Sequence, residues 1–154
     1  RWDREPLPVL ITLIVDTYHR RLRESFPELI RMARKVESRH GEKATCPHGL
    51  AAHLDAMHVS VLEHLEKEER VLFPAIVAGH GRSAVGPVHV LEMEHEGHGR
   101  DLTILRRLTT QFQPPVEACT TWGALYLGVQ ELEEELMVHI HLENNVLFRR
   151  ALVE

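Results

Sequence analysis

Apolar residues recur along this chain in alternating steps of four and three, the spacing that lines one face of an α-helix. Val15, His19, Leu22, Phe26, Leu29, Ala33 and Val36 form the first such stripe. Pro6 and Pro8 mark its start, and Pro27 inside it predicts a bend where its missing N–H leaves the Arg23 carbonyl without a partner. The segment from Gly41 to Pro47 reads as a connection. A second stripe, Leu50, Leu54, Met57, Val61, His64, Glu68, Val71 and Ala75, is expected to end at Pro74 and the Gly79-His80-Gly81 turn. A third starts beside Pro87, runs through Val88, Leu91, His95, His98, Leu102 and Leu105, and stops at Pro114 and Pro115. The last, Leu125, Val129, Leu132, Leu136, His139, Glu143 and Val146, follows Thr120 or Thr121 as N-cap. No stretch shows the alternation of a strand. Four long amphipathic helices on short Gly/Pro connections predict an all-α, up-down-up-down antiparallel four-helix bundle, a single domain over residues 1–154.

Six ionisable residues interrupt these apolar stripes: His19, His64, Glu68, His95, His139 and Glu143. A buried charge without a partner costs several kcal/mol even after relaxation. Hydrogen-bonded ion pairs among the six are one way to meet that cost. Metal ligation is the other, and the chain favours it by writing one phrase twice. Residues 64–73 read HLEKEERVLF and residues 139–148 read HIHLENNVLF, so His-x-x-x-Glu-x-x-Val-Leu-Phe occurs in both the second and the fourth helix. Four residues advance a helix by just over one turn, which stacks each histidine on its glutamate. Two such arms from facing helices, joined by His19 and His95, can enclose a pair of ions with near two-fold symmetry. Four imidazoles divide two to an ion, and two carboxylates can bridge. Nitrogen and oxygen donors without thiolate suit iron, manganese or zinc, whereas a closed structural zinc site would want four tetrahedral ligands and usually cysteine. This ligand count leaves coordination positions open to water, an oxo bridge, dioxygen or nitric oxide.

Composition narrows the setting. Twelve histidines are unusually many for 154 residues, while the two cysteines, Cys46 and Cys119, match no CxxC pair or disulfide framework and point to a reduced, cytoplasmic protein. A formal charge of -5, with eighteen basic residues scattered along the chain, argues against nucleic acid as a partner. The longest uncharged apolar stretch, Leu7 to Val15, is far shorter than the ~20 residues of a membrane span. Of the other histidines, His40 lies on the first stripe but roughly 32 Å from His19 along a continuous helix. His98 is one turn beyond His95, within reach of a ligand or supporting role. His141 points about 160° away from His139. Glu66, Lys67, Glu69 and Arg70 read as an exposed charged turn, and Glu92, Glu94 and Glu96 as the same or as acids supporting the site.

The ordered segments YHRRLRESFPEL, HLEKEERVLFP, EHEGHG, CTTWGALYLG and HIHLENNVLF together resemble hemerythrin-like proteins, in particular the repair of iron centres family of iron-sulfur cluster repair di-iron proteins. The resemblance covers nearly the whole chain. It implies a hemerythrin-like bundle in which His19, His64, His95 and His139 are iron ligands and Glu68 and Glu143 bridge two iron ions, a non-haem di-iron centre able to carry an oxo bridge. His40 also matches a recurrent family histidine. Two departures stand out: the small N-terminal domain with a vicinal cysteine pair is absent, and Arg149 occupies a position that is usually proline. With Arg1-Trp2-Asp3-Arg4 resembling the remnant of a linker, the chain is expected to be the C-terminal domain of a longer protein.

Three roles follow from the resemblance. The first is repair of iron-sulfur clusters damaged by nitrosative or oxidative stress, with iron donated to apo iron-sulfur proteins. The second is enzymatic reduction of nitric oxide at two adjacent irons. The third is reversible binding or sensing of dioxygen or nitric oxide. Ligation by only two histidines per ion fits a labile iron store better than a permanent carrier.

Overall fold

The computed structural model describes residues 1–154 and contains four long helices, no strand and no helix long and apolar enough to cross a membrane. We name them α1 (residues 7–40), α2 (residues 50–77), α3 (Val85–Leu108) and α4 (residues 120–153). A single 3-10 turn, Gly81–Ser83, lies between α2 and α3. α1 packs against α2 and α4, and α3 closes the ring against the same two neighbours, giving the up-down-up-down antiparallel bundle that the stripes predict.

The helix ends differ in places from the sequence expectation. α4 is preceded by Cys119 in extended conformation, with Thr120 already helical and no side-chain cap. α1 continues through Pro27, where the flanking Phe26, Leu29 and Ile30 are all buried, so packing on both sides outweighs one missing hydrogen bond. α2 likewise continues through Pro74 to Val77. It is ended by Gly79, whose φ of 83° lets the Gly79 N–H reach the Ile76 carbonyl and the His80 N–H reach the Ala75 carbonyl, a Schellman close. At the other end of α2 the Glu37 carboxylate of α1 accepts hydrogen bonds from the Gly49 and Ala51 N–H groups at 2.7 and 2.9 Å, satisfying a helix start that has no cap of its own.

Three of the four helices contain a π-helical segment: Ile14–His19 in α1, Glu68–Leu72 in α2 and Glu143–Leu147 in α4. Within the last two, the N–H groups of Phe73 and Phe148 bond back five residues to the carbonyls of Glu68 and Glu143. Each wide turn takes up one extra residue and moves the buried stripe on by one position. The expected core residue Val71 is therefore 59% exposed, and Leu72, Phe73 and Ile76 are buried in its place. In α4, Leu147 and Phe148 are buried instead of Val146; in α1, Ile14 and Leu10 carry the stripe upstream of His19 in place of Val15. α3 has no such segment, and its stripe from Val88 to Leu105 keeps steps of three and four throughout.

The interior falls into two apolar clusters. One gathers Phe26, Leu54, Trp122, Tyr126 and their neighbours; the other gathers Leu10, Ile14, Leu72, Phe73, Leu91, Leu147 and Phe148. Between them lies a layer of buried polar side chains.

Candidate metal centre

That layer consists of His19, His64, Glu68, His95, His139 and Glu143, none more than 3% exposed. α1 supplies His19, α3 supplies His95, and α2 and α4 each supply one histidine and one glutamate. The structure thus brings together all six residues that interrupt the apolar stripes. They form two overlapping groups, His19, Glu68, His139, Glu143 and His64, Glu68, His95, Glu143, in each of which the ligand atoms lie within 4.8 Å of one another.

The carboxylates are shared between the groups oxygen by oxygen. Glu68 turns Oε1 toward His19 Nε2 at 3.2 Å and Oε2 toward His64 Nε2 at 3.2 Å. Glu143 turns Oε2 toward His139 Nε2 at 2.8 Å and Oε1 toward His95 Nε2 at 3.0 Å. Four imidazoles therefore point Nε2 inward, paired across two carboxylates, and the Nε2 atoms of His19 and His139 approach to 3.2 Å. Despite these short distances, His64 Nε2, His95 Nε2, both Glu68 oxygens and Glu143 Oε1 are buried without a hydrogen-bond partner. Buried polar atoms are nearly always paired in folded proteins. Here they aim at common points instead of at one another, as donors to a cation would.

The outward Nδ1 atoms hold the rings in place. Nδ1 of His19 donates to Glu69 Oε2 at 2.7 Å, Nδ1 of His64 to Glu94 Oε1 at 2.9 Å, and Nδ1 of His95 to Asn144 Oδ1 at 2.7 Å. Each such bond selects the tautomer whose Nε2 lone pair faces the centre. Glu69 is also bonded by Arg23 at 2.7 Å, and Glu94 is ion-paired with Lys67. Glu69 does not belong to an exposed charged turn, as the sequence suggests: about 100° round α2 from Glu68 it lies on the flank facing α1, against His19 and Arg23. Asn144, directly after Glu143, occupies the equivalent place in the other repeat. The signal for both was present in the repeat itself, since the residue after each glutamate is a hydrogen-bond acceptor. Glu94 fits the expectation of an acid supporting the site, and Glu66, half-exposed, pairs only with Arg23 and Arg70.

Burial and proximity shift the protonation of this layer strongly. Burial presses the His19 imidazolium toward the neutral form, but the nearby carboxylates of Glu143, Glu68 and Glu69 together prevail and raise its pKa to about 11. His64 is raised in the same way, against burial, by Glu68, Glu143 and Glu94. Burial pushes the Glu143 carboxyl up, yet the imidazoles of His139, His19 and His95 close around it hold it well below the usual carboxylate range. Protons thus compete with a cation for the same lone pairs.

The remaining histidines lie outside both groups. His98 is buried beside the layer, its ring centroid 5.0 Å from that of His64, and its only side-chain contact of hydrogen-bond type is Ser60 at 3.5 Å. Burial, then the charges of His64 and His95, depress its pKa to about 3. With Ser60, Glu94 and Asp101 it lines an open cleft of about 470 Å³. His40 stacks on Trp122 at 5.0 Å at the far end of α1, as its distance along the helix requires. His141 is exposed and bonded to Asn145.

A bundle whose central layer offers paired His/Glu donor sets to cations is what the hemerythrin HHE cation-binding domain describes, and the model of that family matches residues 10–151. The chain belongs to this family. It is 52% identical over 151 residues to the iron-sulfur cluster repair protein YtfE of Yersinia pestis strain Pestoides F, an alignment spanning 98% of this chain and 68% of that protein. The protein of the same name from Yersinia pseudotuberculosis serotype O:1b is 51% identical over the same spans.

Proposed function

We propose that this protein holds two iron ions, one in each histidine pair, with Glu68 and Glu143 bridging them, and that it serves in the repair of iron-sulfur clusters damaged by nitrosative or oxidative stress. The observation that carries this reading is the division of the two carboxylates: each gives one oxygen to the His19–His139 pair and the other to the His64–His95 pair. A single ion would leave half of those buried oxygens without a partner, at a cost of several kcal/mol. Imidazole and carboxylate donors without sulfur suit iron, and the similarity to the iron-sulfur cluster repair proteins favours it over manganese and zinc.

Bound iron supplies redox chemistry and coordination positions for a small ligand such as nitric oxide or dioxygen. The protein's residues do the rest. Glu69, Glu94 and Asn144 hold three imidazoles in the ligating tautomer, the apolar clusters on either side keep the layer dry, and the thin complement of two histidines for each ion leaves iron exchangeable. Apo iron-sulfur proteins are the acceptors this implies.

Metal analysis of protein loaded anaerobically should give about two irons per chain. Reduced, loaded protein should then transfer iron to an apo-ferredoxin in the presence of a competing chelator. A ratio near one in every preparation overturns the two-ion reading. Transfer no faster than from free iron under the chelator overturns donation and moves the role to nitric oxide chemistry, which nitrous oxide production would register.

A further inference from the structure

We infer that the two halves of the layer hold cations unequally, with the His19–His139 half the weaker, because Tyr18 stands where its counterpart Glu94 supplies a hydrogen-bond acceptor. The inference rests on the two-cation reading above. The bundle has an internal near-symmetry in which α1 and α2 correspond to α3 and α4: His19 matches His95, His64 matches His139, Glu68 matches Glu143 and Glu69 matches Asn144. Glu69 and Asn144 act alike, each accepting the Nδ1 proton of the histidine on the neighbouring helix at 2.7 Å.

The symmetry fails at one further pair. Glu94 precedes His95 and accepts from His64 Nδ1 at 2.9 Å. Tyr18 precedes His19, and its ring stacks on His139 with centroids 6.0 Å apart and planes 9° from parallel. An N–H in the plane of an imidazole cannot donate to a ring stacked parallel on it, and His139 Nδ1 is buried with no hydrogen-bond partner at all. One half therefore has both imidazoles oriented by acceptors, Glu94 on His64 and Asn144 on His95. The other has only His19 so held, by Glu69.

An acceptor on the outer nitrogen fixes the tautomer and raises the basicity of the ligating one, and losing it typically lowers metal affinity 10- to 100-fold. The His19–His139 half should accordingly bind its cation about tenfold or more weakly, fill second and empty first. Tyr18 and Glu94 are positioning residues in this scheme, since neither reaches the centre.

Anaerobic calorimetric titration of the metal-free full chain with ferrous ion tests it. The expected result is two classes of site, about tenfold or more apart. Tyr18→Glu, which restores the missing acceptor at a half-buried position, should tighten the weaker class and leave the stronger unchanged. Glu94→Ala, which removes the acceptor on His64, should weaken the stronger class alone, and the dichroism of each variant checks that it is folded. Two ions bound in one class, or a folded Tyr18→Glu protein whose weaker class does not move, overturns the inference and leaves the two-iron reading standing. Fewer than two ions in total overturns both.

Discussion

Glu68 and Glu69, adjacent in sequence, meet the same imidazole from opposite sides: Glu68 Oε1 lies 3.2 Å from His19 Nε2, and Glu69 Oε2 accepts from His19 Nδ1 at 2.7 Å. Neighbouring side chains of an α-helix diverge by about 100°, so a ring inserted from α1 can be met by both, one on each side. The ring is thereby held between an inward and an outward carboxylate.

The first prediction separates these glutamates from their neighbour. Glu68→Ala and Glu143→Ala each remove an oxygen from both halves of the centre, and retained iron after desalting should fall from about two per chain to well below one. Glu66→Ala removes only half-exposed ion pairs with Arg23 and Arg70 and should leave retention unchanged. Equal losses for Glu66 and Glu68 would contradict the geometry.

Packing provides a second test. Leu72→Ala and Phe148→Ala empty fully packed positions and should cost about 2–5 kcal/mol in chemical denaturation. Val71→Ala, at a position 59% exposed, should stay within about 0.5 kcal/mol. The reverse order would mean that the helix keeps an unbroken α-helical phase past Glu68.

Metal affinity should rise with pH. His19, held at about 11, is protonated near neutrality and must lose that proton to ligate, and His64 is shifted in the same direction. Loading with a cation at about pH 7 should release protons, measurable in buffers of different ionisation enthalpy. For the metal-free protein the sign is opposite. The folded-state pKa of His19 exceeds its unfolded value of 6.5, so its contribution to stability is fully present below 6.5 and is lost as pH rises toward about 11. His98 works the other way: depressed to about 3, it stabilises above 6.5 and that contribution is lost as pH falls. His98→Leu should flatten the acid limb of the stability profile.

Removing the metal should lower the melting temperature but leave the far-ultraviolet helix signal, because two large apolar clusters pack without help from the layer. A random-coil spectrum would show instead that metal is required for folding.

The bundle and the six buried polar residues were legible from periodicity, because the ligands lie on the stripes and interrupt them. What lies next to the ligands was not. A period of 3.6 carried beyond Glu68 puts Val71 in the core, whereas the π-helical segment turns it to solvent, and Glu69, which reads as solvated, reaches His19 across the flank facing α1. Proline was misleading for a related reason. Pro74 follows Phe73, whose N–H already reaches back five residues, so α2 passes through it and ends only where Gly79 permits a positive φ. His19 and His95 occur on different helices without a shared phrase, and their correspondence emerges only when the chain is folded.

The π-helical segments also bear on what lengths of chain this protein can tolerate. Deleting one residue between 69 and 71 would let α2 close as an ordinary α-helix with Glu68 still in place. Leu72, Phe73 and Ile76 would then stand three, four and seven positions after Glu68, the spacing of one α-helical face, and would stay in the apolar cluster beneath the layer. The same holds in α4, where Leu147 and Phe148 follow Glu143. The cluster should therefore survive the loss of Arg70 or Val71 in α2, and of Asn145 or Val146 in α4, whereas Glu69 and Asn144 stay fixed by the imidazoles they hold.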